Sequence, residues 1–295
     1  MHMNRRLILV VALVAVVSTG AFAQAFTVNY LDGVAEQQTG KTWLALSIGD
    51  SVPADAIIRL SQTGSLELQR GKTKISLLKD GTYNVGTLAS AADKATTTAV
   101  GSAITQKLQA LVAEKAKASA AGGVRGAEQG TGSVTWVDEG DESKAQAQAL
   151  LDQKQYTAAA KVLNSAIADA SSDQDTGELS YLLGVAYYGA GQTTRAYSVL
   201  AKINPTTDVD WYARYVLLKA QVLADTANYK DALAILSPFI TAYPGGEAAQ
   251  TAYLLTGICQ KALGDATAAK TAFDTGYQIL PTSDTAKLID QQRKS

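Results

Sequence analysis

Tyr229-Lys230-Asp231-Ala232-Leu233-Ala234-Ile235-Leu236 decides the architecture of this chain, because its small-then-large order recurs at a fixed interval. Ala232 has counterparts at Ala159, Ala196 and Ala269, spaced 37, 36 and 37 residues apart. Four residues after each alanine stands a large apolar residue: Leu163, Leu200, Leu236 and Phe273. Upstream, the small residues Ala147, Gly184, Ala220 and Gly257 repeat at the same intervals, and Pro244 and Pro281 stand 37 apart. Self-similarity at this period marks stacked helical hairpins. The small residues let two helices approach closely, and the large residue fills the gap between them. A single hairpin cannot bury its apolar face alone, so stacking is obligatory. Four units, starting near Gly140, Gly177, Ala213 and Gln250, meet the minimum of about three.

This small–large–Pro order resembles the tetratricopeptide repeat family, with loops two or three residues longer, across residues 142–295. Tyr156 and Tyr229 supply an aromatic that Thr193 and Ala266 replace in the other two units. The last two units are also similar to repeats of envelope-assembly and Tol-associated periplasmic proteins, through Tyr243-Pro244-Gly245-Gly246 and Leu254-Leu255-Thr256-Gly257. The resemblance implies a concave groove lined by the first helix of each hairpin, suited to a protein or peptide partner. Carried onto this sequence, the groove residues are Lys144, Gln148, Glu178, Tyr181, Val185, Tyr188, Arg214, Leu217, Gln221, Thr251, Leu254 and Lys261. Tyr181 and Tyr188 are the expected anchors, since amphipathic aromatics are enriched at binding hot spots. The alternative is that both rings pack against the neighbouring hairpin.

Outward from the repeats, residues 24–88 change to a period of two. Leu66 and Leu68 alternate with polar neighbours, Arg70-Gly71-Lys72 turns, and Ile75 and Leu77 resume the alternation before Lys79-Asp80-Gly81. Trp43-Leu44-Ala45-Leu46 and Ile57-Ile58-Arg59-Leu60 flank Gly49-Asp50-Ser51-Val52-Pro53, giving two strands and a turn. Such alternation, broken by Gly-containing turns, predicts a small antiparallel β domain. The order Leu31-Asp32-Gly33-Val34, Trp43-Leu44, Gly49-Asp50-Ser51-Val52, Ile57-Ile58, Leu66-Glu67-Leu68 and Lys79-Asp80-Gly81-Thr82 resembles the FecR-type domain. Val124-Arg125-Gly126-Ala127-Glu128 is similar to the start of that family's next segment, with Ser133-Val134-Thr135-Trp136-Val137 as a possible closing strand. The expected fold is therefore α+β and multidomain: a FecR-like antiparallel β domain followed by an α-solenoid.

Between the two, residues 89–141 are rich in Ala, Gly, Ser and Thr, a linker composition. Within them Ile104, Leu108, Leu111 and Val112 fall on one stripe of an amphipathic helix. At the start of the chain, Arg5 and Arg6 precede the apolar run Leu7–Val17 and the small box Ala21-Phe22-Ala23. That order predicts a secretory signal over residues 1–23, cleaved after Ala23, and so a periplasmic or secreted location. The run is shorter than the roughly 20 residues a spanning helix needs, and no second long apolar run follows.

Removing the signal leaves 24 basic against 27 acidic residues and takes away the only histidine, His2. No basic stripe remains to neutralise phosphates, so nucleic acid is not the expected partner. Without histidine, neither a Ser-His-Asp triad nor a His-based metal site can form, and a single cysteine excludes a cysteine-based zinc site. Cys259 is expected to be a packed core thiol. The acidic run Asp138-Glu139, Asp141-Glu142 lacks the alternation of a calcium loop, and Asp141 or Ser143 is expected to cap the first repeat helix. Gly122-Gly123-Val124-Arg125-Gly126 lacks the Gly-Lys-Ser/Thr ending of a phosphate loop. The expectation is a non-catalytic envelope adaptor with no cofactor. The other possibility is a sensory or cell-wall-glycan-binding module in which the FecR-like domain binds and the repeats oligomerise.

Overall fold

The computed structural model describes residues 25–94, 139–171 and 176–294. The expected signal segment, the helix over 104–112 and the closing strand over 133–137 lie outside the described residues.

Eight short strands build the N-terminal unit: β1 (Phe26–Asp32), β2 (Ala35–Thr39), β3 (Thr42–Ala45), β4 (Ser51–Val52), β5 (Ile57–Leu60), β6 (Ser65–Arg70), β7 (Thr73–Leu77) and β8 (Gly81–Asn84). They form two four-stranded antiparallel sheets, ordered β4-β1-β6-β7 and β3-β2-β5-β8. Alternation places Phe26, Val28, Leu66, Leu68, Ile75 and Leu77 of the first sheet and Ala35, Ile58 and Leu60 of the second in one shared core. Gly33, at φ +79°, makes the bend from β1 to β2, where a Cβ would come 3.0 Å from Gly64 Cα.

Two details differ from the sequence expectation. Ser51-Val52 is not only turn: it pairs with Thr27 and Phe26 as β4. The period-two reading also runs too far, because a helix, α1 (Val85–Lys94), begins at Val85. Asn84 sets that boundary, its side-chain oxygen accepting the Thr87 N–H at 3.0 Å in place of the missing intrahelical partner.

The C-terminal unit is a run of helical hairpins: α2 (Glu139–Asp152) with α3 (Tyr156–Asp169), α4 (Gly177–Gly189) with α5 (Thr193–Leu200), α6 (Tyr212–Asp225) with α7 (Tyr229–Ala242), and α8 (Gly246–Ala262) with α9 (Ala266–Ile279). The second helices start at 156, 193, 229 and 266, reproducing the 37, 36, 37 spacing. Ala159, Ala196, Ala232 and Ala269 are buried one turn inside those starts, and Leu163, Leu200, Leu236 and Phe273 are buried one turn further. A Cβ on Gly184 would sit 2.7 Å from Leu200 Cδ2, which explains why the first helix carries a glycine there. The sequence missed α10 (Asp284–Lys294), which folds back on α8 and α9 and buries Ile289. It also misplaced the first cap: α2 begins at Glu139, so Asp141 and Ser143 lie within the helix.

The two units meet at a polar junction. Glu67 of β6, 4% exposed, accepts a hydrogen bond from Thr194 Oγ1 of α5 at 2.9 Å and another from Asn29. Thr194 is fully buried, and its hydroxyl also lies 2.9 Å from Ser76 Oγ. A hydroxyl has one proton, and Thr194 gives it to the carboxylate, so Ser76 is the donor in the second bond. Asp32 accepts from Ser198 and pairs with Lys202 at 2.7 Å, while Lys79 pairs with Asp231 of α7 at 2.7 Å. Beside these, Leu78 enters a small apolar cluster with Leu223, Ala224, Ala232 and Cys259. The polar contacts of the β unit thus fall on the second helices, α5 and the start of α7, while Leu78 reaches residues of the first helices α6 and α8.

Candidate partner-binding face

The first helices α2, α4, α6 and α8 carry the expected groove residues, and the structure divides them sharply. Tyr181, Val185, Tyr188, Leu217, Gln221, Thr251 and Leu254 are buried. Tyr181, 1% exposed, stacks on Trp211 with centroids 5.4 Å apart, and Trp211 in turn meets Tyr215 edge-on at 6.2 Å. Burial raises the Tyr181 hydroxyl well above the ordinary phenol range, and pushes Tyr215 up to about 12. The expectation of Tyr181 as an exposed anchor is corrected: its ring belongs to the packing between hairpins, because a large side chain here fills the cleft toward the next unit. Val185, Leu217 and Leu254 are corrected on the same ground, as is Thr251, whose hydroxyl donates back to Glu247 O at 2.9 Å. Tyr188 is buried through its ring but uses its hydroxyl at the edge of the row.

What remains accessible is polar. Lys144 of α2 and Glu178 of α4, both partly exposed, form an ion pair at 2.6 Å across the first two hairpins. Gln148 and Arg214 are partly exposed and Lys261 is exposed. Tyr188 Oη donates to Asp225 Oδ2 at 2.5 Å, and Gln221 Nε2 donates to Asp225 Oδ1 at 2.7 Å, joining α4 to α6. Asp225 keeps an exposed surface, yet its carboxyl is pushed upward by burial, partly offset by those two donors. Gln221, 2% exposed, leaves its side-chain oxygen without a hydrogen-bond partner.

The repeat itself shows what is special about Arg214. Lys144 and Glu178 occupy two positions of adjacent units, and advancing one unit gives Tyr181 and Arg214. The position equivalent to Lys144 is therefore neutral in the next unit. Arg214's electrostatic effect on Tyr181 is to lower its pKa, but the guanidinium makes no ion pair among the described residues. A partly exposed guanidinium with five N–H donors and no carboxylate partner is suited to donate to a planar anion.

Cys259 is buried, and burial followed by the Asp225 charge pushes its thiol from 9.0 up to about 12, leaving an inert core thiol. Among the described residues, no cluster of three or more His, Cys, Asp or Glu could hold a metal ion, and no helix is long and apolar enough to cross a membrane.

A tetratricopeptide-type family model, described as anaphase-promoting complex, cyclosome, subunit 3, matches residues 152–239. Over those residues the helical hairpins are similar to the tetratricopeptide type. Among solved structures, the chain is similar to a MamA RS-1 ArsTM double mutant at 20% identity and TM-score 0.43, over 54% of this chain and 88% of that one. It is similar also to MamA 41-end from Desulfovibrio magneticus RS-1 at 19% identity and TM-score 0.43, over 54% and 89%. No curated protein matches in sequence.

Proposed function

We propose that this protein is a non-catalytic adaptor of the cell envelope that holds a protein or peptide partner along the first-helix row of its solenoid, with Arg214 binding a carboxylate of that partner. Tetratricopeptide-type repeats support a role in protein interaction, and the observation that carries the finer reading is the uncompensated guanidinium. Its counterpart one unit earlier, Glu178, is neutralised by Lys144. The polar contacts of the β unit go to α5 and the start of α7 rather than to Arg214. Export rests on the basic, apolar and small-residue order of residues 1–23, and the FecR-like reading of the β unit on the motifs quoted above.

The experiment is affinity. A partner captured from envelope extract by the full chain is titrated against the wild type, Arg214→Ala and Arg214→Lys. A charged hydrogen bond at a partly desolvated site contributes about 1.5–3 kcal/mol, so Arg214→Ala weakens binding by roughly tenfold or more. Arg214→Lys recovers only part, since an ammonium cannot make the bidentate contact. Equal affinity in all three proteins contradicts the proposal.

A further inference from the structure

We propose that two copies of this chain associate edge to edge through β3, forming one continuous eight-stranded sheet across a two-fold axis at Leu44. The inference goes beyond partner binding by the solenoid and rests on a different part of the molecule.

β3 is the outer strand of the second sheet. Its register with β2 runs Thr39↔Thr42, Gln38↔Trp43, Gln37↔Leu44 and Glu36↔Ala45 across the turn Gly40-Lys41, and Leu46 N donates to Ala35 O at 2.8 Å. Antiparallel ladders alternate bonded and non-bonded pairs. With 39↔42, 37↔44 and 35↔46 as the bonded pairs, Trp43 and Ala45 turn their N–H and C=O groups outward. Among the described residues, no strand meets that edge.

The other edges are short or occupied. β4 has two residues and is followed by Pro53. β7 is flanked by the solenoid through Ser76–Thr194 and through Lys74, which donates to Gly191 O. β8 runs straight into α1, which packs against it. β3 has a regular register and no charge, proline or bulge within Thr42–Ala45, the features by which edge strands normally resist pairing, and unlike β8 it does not lead directly into a helix. It also carries Leu44, whose side chain is 56% exposed.

A second copy fits this edge better than an arbitrary strand because the sequence is complementary to itself. With the axis at Leu44, Trp43 faces Ala45 of the second copy in a bonded pair, and Ala45 faces Trp43 in another, so the outward backbone groups close four hydrogen bonds. The large ring lies beside a methyl group on one face. On the other, the two Leu44 side chains meet at the non-bonded position, where cross-strand side chains come closest. Lys41 falls opposite Ser47, so no like charges oppose. The solenoid does not obstruct the approach: its contacts with the β unit come from β1, β6, β7 and the turn after β7. Four backbone bonds and one apolar pair make a small interface, and the dimer is correspondingly weak.

The test uses the full exported chain in sedimentation velocity over a wide concentration range, with two variants. The wild type shows a reversible monomer–dimer equilibrium. Ala45→Pro deletes an N–H that the hairpin does not use, and raises the dissociation constant at least tenfold. Leu44→Cys, at an exposed position, forms an intermolecular disulfide on mild oxidation, whereas Thr82→Cys on the far edge strand does not. A wild type monomeric at every concentration, a dimer indifferent to Ala45→Pro, or a Leu44→Cys protein that stays uncross-linked overturns the proposal.

Discussion

The Thr194 hydroxyl reaches across the junction between the two units and hydrogen-bonds the buried Glu67 carboxylate at 2.9 Å. Thr194→Val keeps the shape and removes the proton, stranding one carboxylate oxygen in a site 4% exposed. An unsatisfied buried polar group costs about 1–3 kcal/mol, more when charged. Urea unfolding should show the loss, and Glu67→Gln in the Thr194→Val background should recover part of it by removing the stranded charge. An unchanged midpoint for Thr194→Val would mean that the junction contributes nothing to holding the units together.

Gly257 and Phe273 stand in a similarly close relation within the fourth hairpin: a Cβ on Gly257 would lie 2.3 Å from Phe273 Cε1. Gly257→Ala is therefore overpacked, and should destabilise by about 1–3 kcal/mol despite alanine's better helix propensity. Phe273→Leu alone also destabilises. Combined, the two should cost less than their sum, since the smaller side chain vacates the space the methyl needs. Thermal melts of the four proteins close this cycle, and strict additivity would show that the ring is free to move aside.

Cys259 supplies a pH signature. Its thiol is raised from 9.0 to about 12, first by burial and then by the Asp225 charge. Below pH 9 both folded and unfolded chains hold the proton, and the group leaves stability untouched. Above it the unfolded chain sheds the proton while the folded chain keeps it, so stability falls as pH rises from 9 toward 12. Tyr181 and Tyr215, also raised by burial, act in the same direction at the upper end of that window. Melting temperature should decline across this range and decline less in Cys259→Ala once its own offset is subtracted. Native protein should react with a thiol reagent far more slowly than urea-unfolded protein.

Much of the fold was legible because it is periodic. Ala159, Ala196, Ala232 and Ala269 fall three residues into the four second helices, and the strands over 57–60, 65–70 and 73–77 follow the alternation of Ile58 and Leu60, Leu66 and Leu68, Ile75 and Leu77. What lacks a period was missed. α10 occurs once, α1 continues an alternating segment with only Asn84 to announce it, and the junction joins Glu67 to Thr194 across 127 residues. For the site, position within the repeat located the row but not its depth. Tyr181 and Arg214 are both row residues, yet one stacks on Trp211 and the other reaches solvent, which depends on what the adjacent hairpin presents.

The claim that the first-helix row meets a partner is tested most directly by site-specific photo-cross-linking in cells producing the full chain. A photoreactive residue is placed in turn at Gln148 and Lys261, on the first helices, and at Lys161, on the second helix of the first hairpin. The account predicts the same discrete protein adduct from Gln148 and Lys261, weakened by Arg214→Ala, and none from Lys161. Adducts from Lys161 alone, or none from either first-helix position, would contradict it.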